Sequence, residues 1–337
     1  MSLLKVSIII VTYSNKRIKF IKKVFKSIEN QSYKNIETII VLNGAEFDIK
    51  KLVVNWANKD KKNRKVISFR NNIDLSKDNT RLGKLRYKKG IDISTGDLIF
   101  CQSDDDFVSN NFFYKMVHLF NNNKNCKTAI GLPKYYDWDT GNTRFLDDGN
   151  SSNQRKKYMH GKDLFINYLE GSKMFLNPGF CFVIKRELIL KAKIWEGYDF
   201  SIFLSIVPLG ITGFDRSAEM FWGVHEKQEH YTANIKHYNE FIYLKPTFLR
   251  NEYARKIWKK IATKEEFIKL NLFFDRHLSK ISSLGFYWCL KNLKLLKAIR
   301  HYKNIKSKLI LIKILINQIR VDIYYLRKKF SNFFFLK

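Results

Sequence analysis

The first 130 residues alternate short apolar runs with helical patterns, and this alternation predicts an α/β fold with a mixed, mainly parallel sheet flanked by helices. The apolar runs that predict strands are 5–12, 36–42, 65–69, 97–102 and 127–131. Helical periodicity occupies the intervals near 18–30, 49–58, 80–93 and 110–121. The middle of the chain, 132–235, is irregular and rich in turn residues, apart from a helical stretch near 161–172. From about residue 240 a basic, helical pattern predicts a C-terminal extension.

The composition is that of a folded protein rather than a disordered one. Of the 337 residues, 45% are hydrophobic and 15% aromatic, and only four are proline. The four cysteines are scattered without a Cys-x-x-Cys pair, which fits a reducing compartment and gives no support for a zinc site. No window holds the ~18–20 uninterrupted apolar residues of a membrane span, and the N-terminus reads as a strand rather than a secretion signal. We therefore expect a cytoplasmic protein.

Positive charge is concentrated near the C-terminus. The chain carries a formal net charge of +31, and residues 276–337 contain 15 Lys or Arg and a single acid, Asp322. Such a block requires a polyanionic neighbour or a solvated face. No recognition motif accompanies the charge, so we expect no nucleic-acid partner.

Four basic residues of this block recur at intervals of seven: Lys306, Lys313, Arg320 and Arg327. Seven residues are nearly two helical turns, so the pattern predicts one basic stripe opposite a broad apolar face. Two arrangements suit such a helix. It lies on an anionic membrane surface, or it packs its apolar side on the rest of the chain or on a second copy in an oligomer.

Three consecutive aspartates, Asp104 to Asp106, directly follow the predicted strand 97–102. Ligands of parallel sheets bind outside the carboxyl ends of the strands, which is where these acids fall. They either cap the next helix or decorate a turn, or they hold a cation that offsets their repulsion. Ser109 is a natural N-cap for the helix 110–121, so capping does not require them. Carboxylate oxygens suit Mg²⁺ or Mn²⁺.

Three segments in order resemble the family-2 glycosyltransferases of the GT-A (Rossmann-like) fold, a group of inverting enzymes that use nucleotide-sugar donors. They are "VSIIIVTYSN" at 6–15, "VFKSIENQSYKNIETIIVLNGA" at 24–45 and "GIDISTGDLIFCQSDDDF" at 90–107. The resemblance covers roughly residues 5–110, is looser over 175–230, and does not extend beyond 240.

The resemblance implies that the acidic loop holds a divalent ion, Mn²⁺ or Mg²⁺, that bridges the donor diphosphate. Asp105 is then the principal metal ligand, with Asp106 or Asp104 supporting it and contacting ribose or substrate. Ser103 stands where the family more often has the first aspartate. His225 resembles a histidine that many relatives place near the metal and diphosphate.

The same resemblance implies donor contacts on other segments. Thr12 and Tyr13 fall near the nucleobase, and Asn43 stands where the family commonly carries an acid that contacts the base. Lys84 and Arg86 are candidate diphosphate contacts, since fixed cations suit phosphate oxygens. Solvated helix charges and a packed tyrosine are the alternative interpretations of these residues.

A general base is expected near "WEGYDF" at 195–200, where the family usually has an aspartate after the glutamate. Here that position is Gly197, which leaves Glu196 and Asp199 as candidates. We favour Asp199, because it opens the apolar stretch that follows and a helix start aims a side chain at a cleft. The alternative is that Asp199 only caps that helix.

The resemblance and the basic tail together predict a hexosyl- or N-acetylhexosaminyltransferase of bacterial surface polysaccharide (capsule or lipopolysaccharide) synthesis. It would move a sugar, most simply from a UDP-sugar, to a glycan or lipid-linked acceptor at the inner face of the membrane. The expected domains are 1–238 (a nucleotide half 1–130 and an acceptor half 131–238) and 239–337. Two alternatives remain: a catalytically inactive relative that binds nucleotide-sugar or glycan, and a non-enzymatic basic binder of membrane or nucleic acid.

Overall fold

The computed structural model describes most of the chain. The described residues are 3–70, 86–145, 156–169, 182–192, 206–225 and 252–291, with 298–299, 302–303, 305, 308–316 and 319. Three of the predicted site residues, Lys84, Glu196 and Asp199, lie outside these ranges.

Four N-terminal strands form the parallel half of the sheet. They are β1 (Val6–Thr12), β2 (Ile36–Asn43), β3 (Arg64–Phe69) and β4 (Leu98–Ser103). They lie side by side in the order β3-β2-β1-β4, so β1 is interior to the sheet. Ile8, Ile9 and Ile10 are completely buried, which explains why β1 is continuously apolar rather than alternating. The predicted parallel sheet is confirmed.

The remaining strands make the sheet mixed. They are β5 (Phe107–Val108), β6 (Cys126–Asp137), β7 (Thr143–Phe145), β8 (Tyr158–His160), β9 (Phe182–Lys185) and β10 (Ile211–Val224). β9 is antiparallel to β4 and β6, whereas β10 is parallel to β6 and antiparallel to the short β5. Several of these strands fall within 132–235, which the sequence predicted to be irregular. That prediction was wrong because β7, β8 and β9 have only three or four residues each, and polar residues interrupt the apolar positions of β10, so none of them gives a continuous apolar run.

Helices flank the sheet. Their bounds are α1 (Ile18–Glu29), α2 (Phe47–Asn58), α3 (86–93), α4 (Phe112–Asn122), α5 (Gly161–Leu169), α6 (Arg186–Ala192), α7 (Glu252–Ile261) and α8 (Lys264–Lys291). α1 buries residues at helical spacing, including Ile21, Val24 and Phe25. Phe25 stacks on Trp56 of α2 with ring centroids 4.0 Å apart, so α1 and α2 contact each other beside the sheet.

The N-cap residue of α4 is not the one that the sequence predicted. α4 begins at Phe112 with Asn111 at its N-cap position, and the Asn111 side chain makes no capping hydrogen bond. The Ser109 hydroxyl instead accepts the backbone N–H of Glu219 on β10, at 3.1 Å. The prediction that Ser109 is the N-cap was therefore wrong, because a contact distant in sequence engages its hydroxyl.

Glu37 of β2 is a buried carboxylate that ties several segments together. It accepts hydrogen bonds from the Ser7 hydroxyl at 2.6 Å and from the Thr95 backbone at 2.5 Å. The ammonium groups of Lys65 and Lys5 lie 3.2 and 3.4 Å away. Burial alone would raise the pKa of Glu37, but the Ser7 and Thr95 hydrogen bonds and the Lys65 contact outweigh it and lower the pKa to about 2. The charge therefore links β1, β2 and β3 to the turn before β4.

The described chain divides into two compact units. One comprises 1–231 and 247–263 and contains the sheet, whereas the other comprises 232–246 and 264–337 and contains α8. The predicted boundary at 238/239 stays a prediction. No described helix combines the length and the apolarity needed to cross a membrane.

Part of the predicted basic tail helix is described, at residues 308–316. Its exposed positions are apolar as well as basic: Leu309 is 62% exposed, Ile312 53% and Ile316 47%. Lys313 is exposed beside them, whereas Leu311 is buried. At 100° per residue the buried Leu311 lies opposite Lys313, as expected, but Leu309 and Ile316 lie beside Lys313, so the apolar surface of this segment extends to the basic side.

Glu37→Gln should lower the free energy of unfolding at pH 7 by about 3 kcal/mol, because the pKa falls from 4.5 to about 2 on folding. A lowered pKa stabilises the fold fully above pH 4.5 and loses that effect as pH falls through 2. Urea denaturation at several pH values measures both.

The control variant is Glu187→Gln, which changes the same functional group where the side chain is 57% exposed. We expect it to leave stability nearly unchanged. Equal effects of the two variants at pH 7 would contradict the assigned role of Glu37.

Candidate functional site

The candidate site lies where β1, β2 and β4 end. Thr12 is in register with Leu42, and Val11 with Ser103, so the residues that follow these strands meet at one edge of the sheet. The three aspartates follow β4 directly and lead into β5. All three are buried although they are charged side chains, which calls for specific partners.

Asp104 accepts a hydrogen bond from the last residue of β1. Its Oδ2 accepts the Thr12 hydroxyl at 2.6 Å, and both residues are buried. Its Oδ1 lies 3.6 Å from Arg17 Nη1. Thr12, for which a position near the nucleobase was predicted, thus contacts the acidic loop directly.

Asp105 is paired with two groups. Its Oδ2 accepts a charge-assisted hydrogen bond from Arg17 Nη1 at 2.5 Å and lies 3.2 Å from His225 Nε2. Burial alone would raise the pKa of Asp105, but the His225 hydrogen bond and the positive charge of Arg17 lower it below its ordinary value. Asp105 is therefore the aspartate of the loop best suited to remain ionised and to bind a cation.

Asp106 has a different environment. Its Oδ1 accepts the backbone N–H of Gly223 at 2.9 Å, away from the contacts that Asp104 and Asp105 share. Burial and the charge of Asp105 raise the pKa of Asp106 well above its ordinary value. The structure thus groups Asp104, rather than Asp106, with Asp105 and His225 around Arg17.

His225 approaches from the end of β10 and is buried. Its ring stacks on Phe20 of α1 with centroids 4.4 Å apart, which fixes the plane of the imidazole. Nε2 faces both Asp105 Oδ2 and, at 3.4 Å, Arg17 Nη1. Nδ1 is buried without a hydrogen-bond partner among the described residues.

Arg17, just before α1, is the cation at the centre of the group, and sequence reasoning missed it. Burial alone would lower the pKa of Arg17, but Asp104 and Asp105 outweigh it and raise the pKa well above its ordinary value. Its guanidinium carbon lies 5.9 Å from the Tyr13 ring centroid, which places the predicted Tyr13 beside it. The one available signal was its position five residues after Thr12, among 62 basic residues.

The predicted contacts at the end of β2 form a separate pair. Arg86 Nε donates to Asn43 Oδ1 at 2.8 Å, and both residues are buried. The Arg86 guanidinium lies 3.5 Å from the Phe69 ring centroid, and burial lowers its pKa. Gly44 follows Asn43 with φ 59°, a left-handed conformation that favours glycine. Arg86 therefore fixes the Asn43 amide at the strand end where a base contact was predicted.

A cluster of aromatic residues packs against the acidic loop on the side of β6 and β10. Trp138 Nε1 donates to the Asp105 carbonyl at 3.1 Å, and Trp138 packs with Phe20 and Phe107. A Cβ on Gly223 would lie 2.2 Å from that same carbonyl, so only glycine allows β10 to approach the loop. Ser103 closes β4, and its hydroxyl bond moderates the rise in the Asp106 pKa.

The groups around Arg17 are compared with the ligands of the divalent ion that the family resemblance implies. Two carboxylates and an imidazole are ligand types that suit Mn²⁺. As placed, however, no group of three or more His, Cys, Asp or Glu within the described part of the chain is arranged to hold a metal ion. The described residues therefore do not fit a bound ion while Arg17 remains between them.

Several solved structures share this fold. Residues 1–349 of S. aureus TarS in complex with UDP-GlcNAc align with a TM-score of 0.57 at 12% identity, over 89% of each chain. The complex of the same residues with UDP gives 0.53 at 12% identity, also over 89% of each. A longer S. aureus TarS structure gives 0.52 at 14% identity, over 89% of this chain and 54% of that one. At these identities the likeness shows the GT-A fold alone.

Sequence comparison identifies the family. No curated protein sequence matches the chain. The sequence model of glycosyl transferase family 2, however, matches residues 7–191, more than half of the chain. The matched segment includes Arg17 and all three aspartates, whereas His225 lies beyond it. Together with the shared fold, this match shows that the chain belongs to glycosyl transferase family 2.

Proposed function

We propose that this glycosyltransferase transfers a sugar from a UDP-linked donor to a hydroxyl of a glycan or lipid-linked saccharide, with inversion, in bacterial surface polysaccharide synthesis. The observation that carries the proposal is the buried Asp104–Asp105 pair at the carboxyl ends of β1 and β4. The pair lies within residues 7–191, the part of the chain that matches the family. The TarS structures in complex with UDP and with UDP-GlcNAc support a uridine nucleotide as the first donor to test.

The donor would lie along the carboxyl edge of the sheet. Asn43, fixed by Arg86, is suited to contact the base, because an amide offers both a donor and an acceptor. Asp104, fixed by Thr12, and the ionised Asp105 would face the ribose and diphosphate. The site therefore holds its polar groups in place before the donor arrives.

Departure of the diphosphate requires positive charge beside it. A divalent ion, Mn²⁺ or Mg²⁺, is part of the proposal, and Asp105 and His225 would hold it and let it offset the charge of the leaving group. Lys84 is the further candidate diphosphate contact. Arg86, committed to Asn43 and Phe69, is better suited to positioning than to phosphate binding.

A base must remove the proton of the acceptor hydroxyl as the new bond forms. Asp199 remains our proposed base and Glu196 its alternative; both lie outside the described residues. The glycine at 197 motivates one rival, an inactive relative that binds the donor without transferring the sugar.

The binding test is thermal denaturation with a panel of nucleotide-sugars in Mn²⁺. UDP-GlcNAc or another UDP-sugar should raise the melting temperature, and Asp105→Asn should abolish the shift, since it removes the ionised carboxylate of the site. Asp139→Asn, the same change in an exposed turn, should retain the shift. If no nucleotide-sugar shifts the wild-type chain, the donor-site proposal is wrong.

The turnover test is release of the nucleoside diphosphate. Asp199→Asn should keep the donor-induced thermal shift but lose at least about 100-fold in rate, because general-base catalysis contributes this much. Glu196→Gln should retain most activity, and the reverse pattern would reassign the base. A wild-type chain that binds donor but neither hydrolyses nor transfers it would favour the inactive relative.

We further propose that the C-terminal unit binds an anionic membrane surface, which would bring the enzyme to a lipid-linked acceptor. Leu309, Ile312, Ile316 and Ile319 are exposed apolar residues at helical spacing, and Lys313 is exposed beside them. Apolar side chains inserted among headgroups, with lysine on anionic lipid, suit this arrangement. The distribution favours a peripheral location at the inner face over nucleic-acid binding, because nucleic acid gains nothing from exposed isoleucines.

Membrane binding can be measured by co-sedimentation with phosphatidylglycerol-containing vesicles. Ile312→Ser/Ile316→Ser should weaken binding at least about tenfold, since it removes most of two aliphatic side chains that the membrane would bury. The control is Ile268→Ser/Leu272→Ser, an equally spaced exposed pair on α8 beside Glu265 and Asp275. Equal binding by both double variants, or loss of a dimer rather than of vesicle binding, would contradict the membrane proposal.

A further inference from the structure

Three atoms of the kinds that coordinate metals, two carboxylate oxygens and an imidazole nitrogen, surround one nitrogen of Arg17. Arg17 Nη1 is 2.5 Å from Asp105 Oδ2, 3.4 Å from His225 Nε2 and 3.6 Å from Asp104 Oδ1. The three donors come from the loop after β4 and from the end of β10. The two aspartates are consecutive, His225 is 120 residues from Asp105, and all three approach the same guanidinium.

His225 Nε2 lies within hydrogen-bonding distance of two groups, Asp105 Oδ2 at 3.2 Å and Arg17 Nη1 at 3.4 Å. The guanidinium can only donate, whereas Nε2 donates or accepts according to its tautomer. A protonated Nε2 donates to Asp105, and an unprotonated Nε2 accepts from Arg17. A metal ion requires an unprotonated Nε2, the same nitrogen that Arg17 Nη1 approaches.

A divalent ion would compete for the same volume. Mn²⁺ or Mg²⁺ binds such donors at roughly 2.0–2.2 Å, closer than the guanidinium brings Nε2 or Oδ1. The donors must therefore close on the ion, and Nη1 cannot remain among them. The ion and the guanidinium exclude each other by space as well as by charge.

We propose that Arg17 is a resident counter-ion of the acidic loop, and that a divalent ion enters this site only by displacing its guanidinium. The inference rests on the proposed function, because it concerns the same donor site. It makes Arg17 a residue that sets the metal affinity of the site.

The displacement requires movement of the side chain alone. The backbone of the preceding turn is fixed, since the Asn15 N–H donates to Glu46 Oε2 at 2.6 Å and the Arg17 N–H to the Ser14 carbonyl at 2.9 Å. The guanidinium faces the Tyr13 and Phe20 rings at 5.9 and 6.0 Å. Aromatic faces are weak cation partners compared with a carboxylate, so leaving Asp105 costs free energy that metal binding must offset.

The test is a titration of the full chain with Mn²⁺ alone, without nucleotide, in which free Mn²⁺ is measured by electron paramagnetic resonance. Arg17→Gln should bind Mn²⁺ at least about fivefold more tightly than the wild type, the lower end of usual coupling effects. Arg17→Met is a second neutral variant, in case the glutamine variant does not fold. The matched control is Lys16→Gln, which removes a neighbouring exposed charge and should retain the wild-type affinity.

Arg17→Lys distinguishes charge from packing. A retained positive charge at position 17 should keep Mn²⁺ affinity closer to that of the wild type than to that of Arg17→Gln. The inference is overturned if the neutral variants bind Mn²⁺ no more tightly than Lys16→Gln, or if Arg17→Lys binds as tightly as they do. Because no nucleotide is present, either result stands apart from failure of the proposed function, which would be seen as the absence of any donor-induced thermal shift.

Discussion

The site depends on one electrostatic constraint: two carboxyl groups, Asp104 and Asp105, are buried side by side, and burial of carboxylates calls for a positive charge beside them. Arg17 meets that need at 2.5 Å from Asp105. The constraint also explains the different role of Asp106, whose raised pKa relieves the loop of part of a third negative charge. A basic protein can thus concentrate acid at one point, because a largely buried guanidinium lies at the same point and, on our proposal, gives way there to a divalent cation.

The parallel half of the fold could be predicted from the sequence, because buried strands such as β1 are continuously apolar and helices separate them at regular spacing. The position of the acidic loop followed from the same reasoning. The partners of the acids could not be predicted. Arg17 is 88 residues away from Asp105, and His225 is 120 away. The position of Arg17 five residues after Thr12 is the one local feature that sets it apart from the other basic residues.

The Ser109 prediction failed for the same reason, and Arg86 likewise has contacts that its local sequence does not indicate. Ser109 has the residue type of an N-cap, but its hydroxyl accepts a hydrogen bond from β10, 110 residues later. Arg86 has the charge of a phosphate ligand, yet Asn43 and Phe69 engage it at the end of β2. In the tail, the seven-residue period of the basic residues was read correctly. Leu309, Ile312 and Ile316 beside Lys313 are exposed, which the period of the basic residues alone does not indicate.

The most direct measurement of the central claim is a crystal structure of the chain with UDP and Mn²⁺. We predict the ion in contact with Asp105 and His225, the diphosphate at the carboxyl ends of β1 and β4, and the Arg17 guanidinium withdrawn from Asp105. A diphosphate bound elsewhere, or an ion bound while Arg17 still contacts Asp105, would contradict the account.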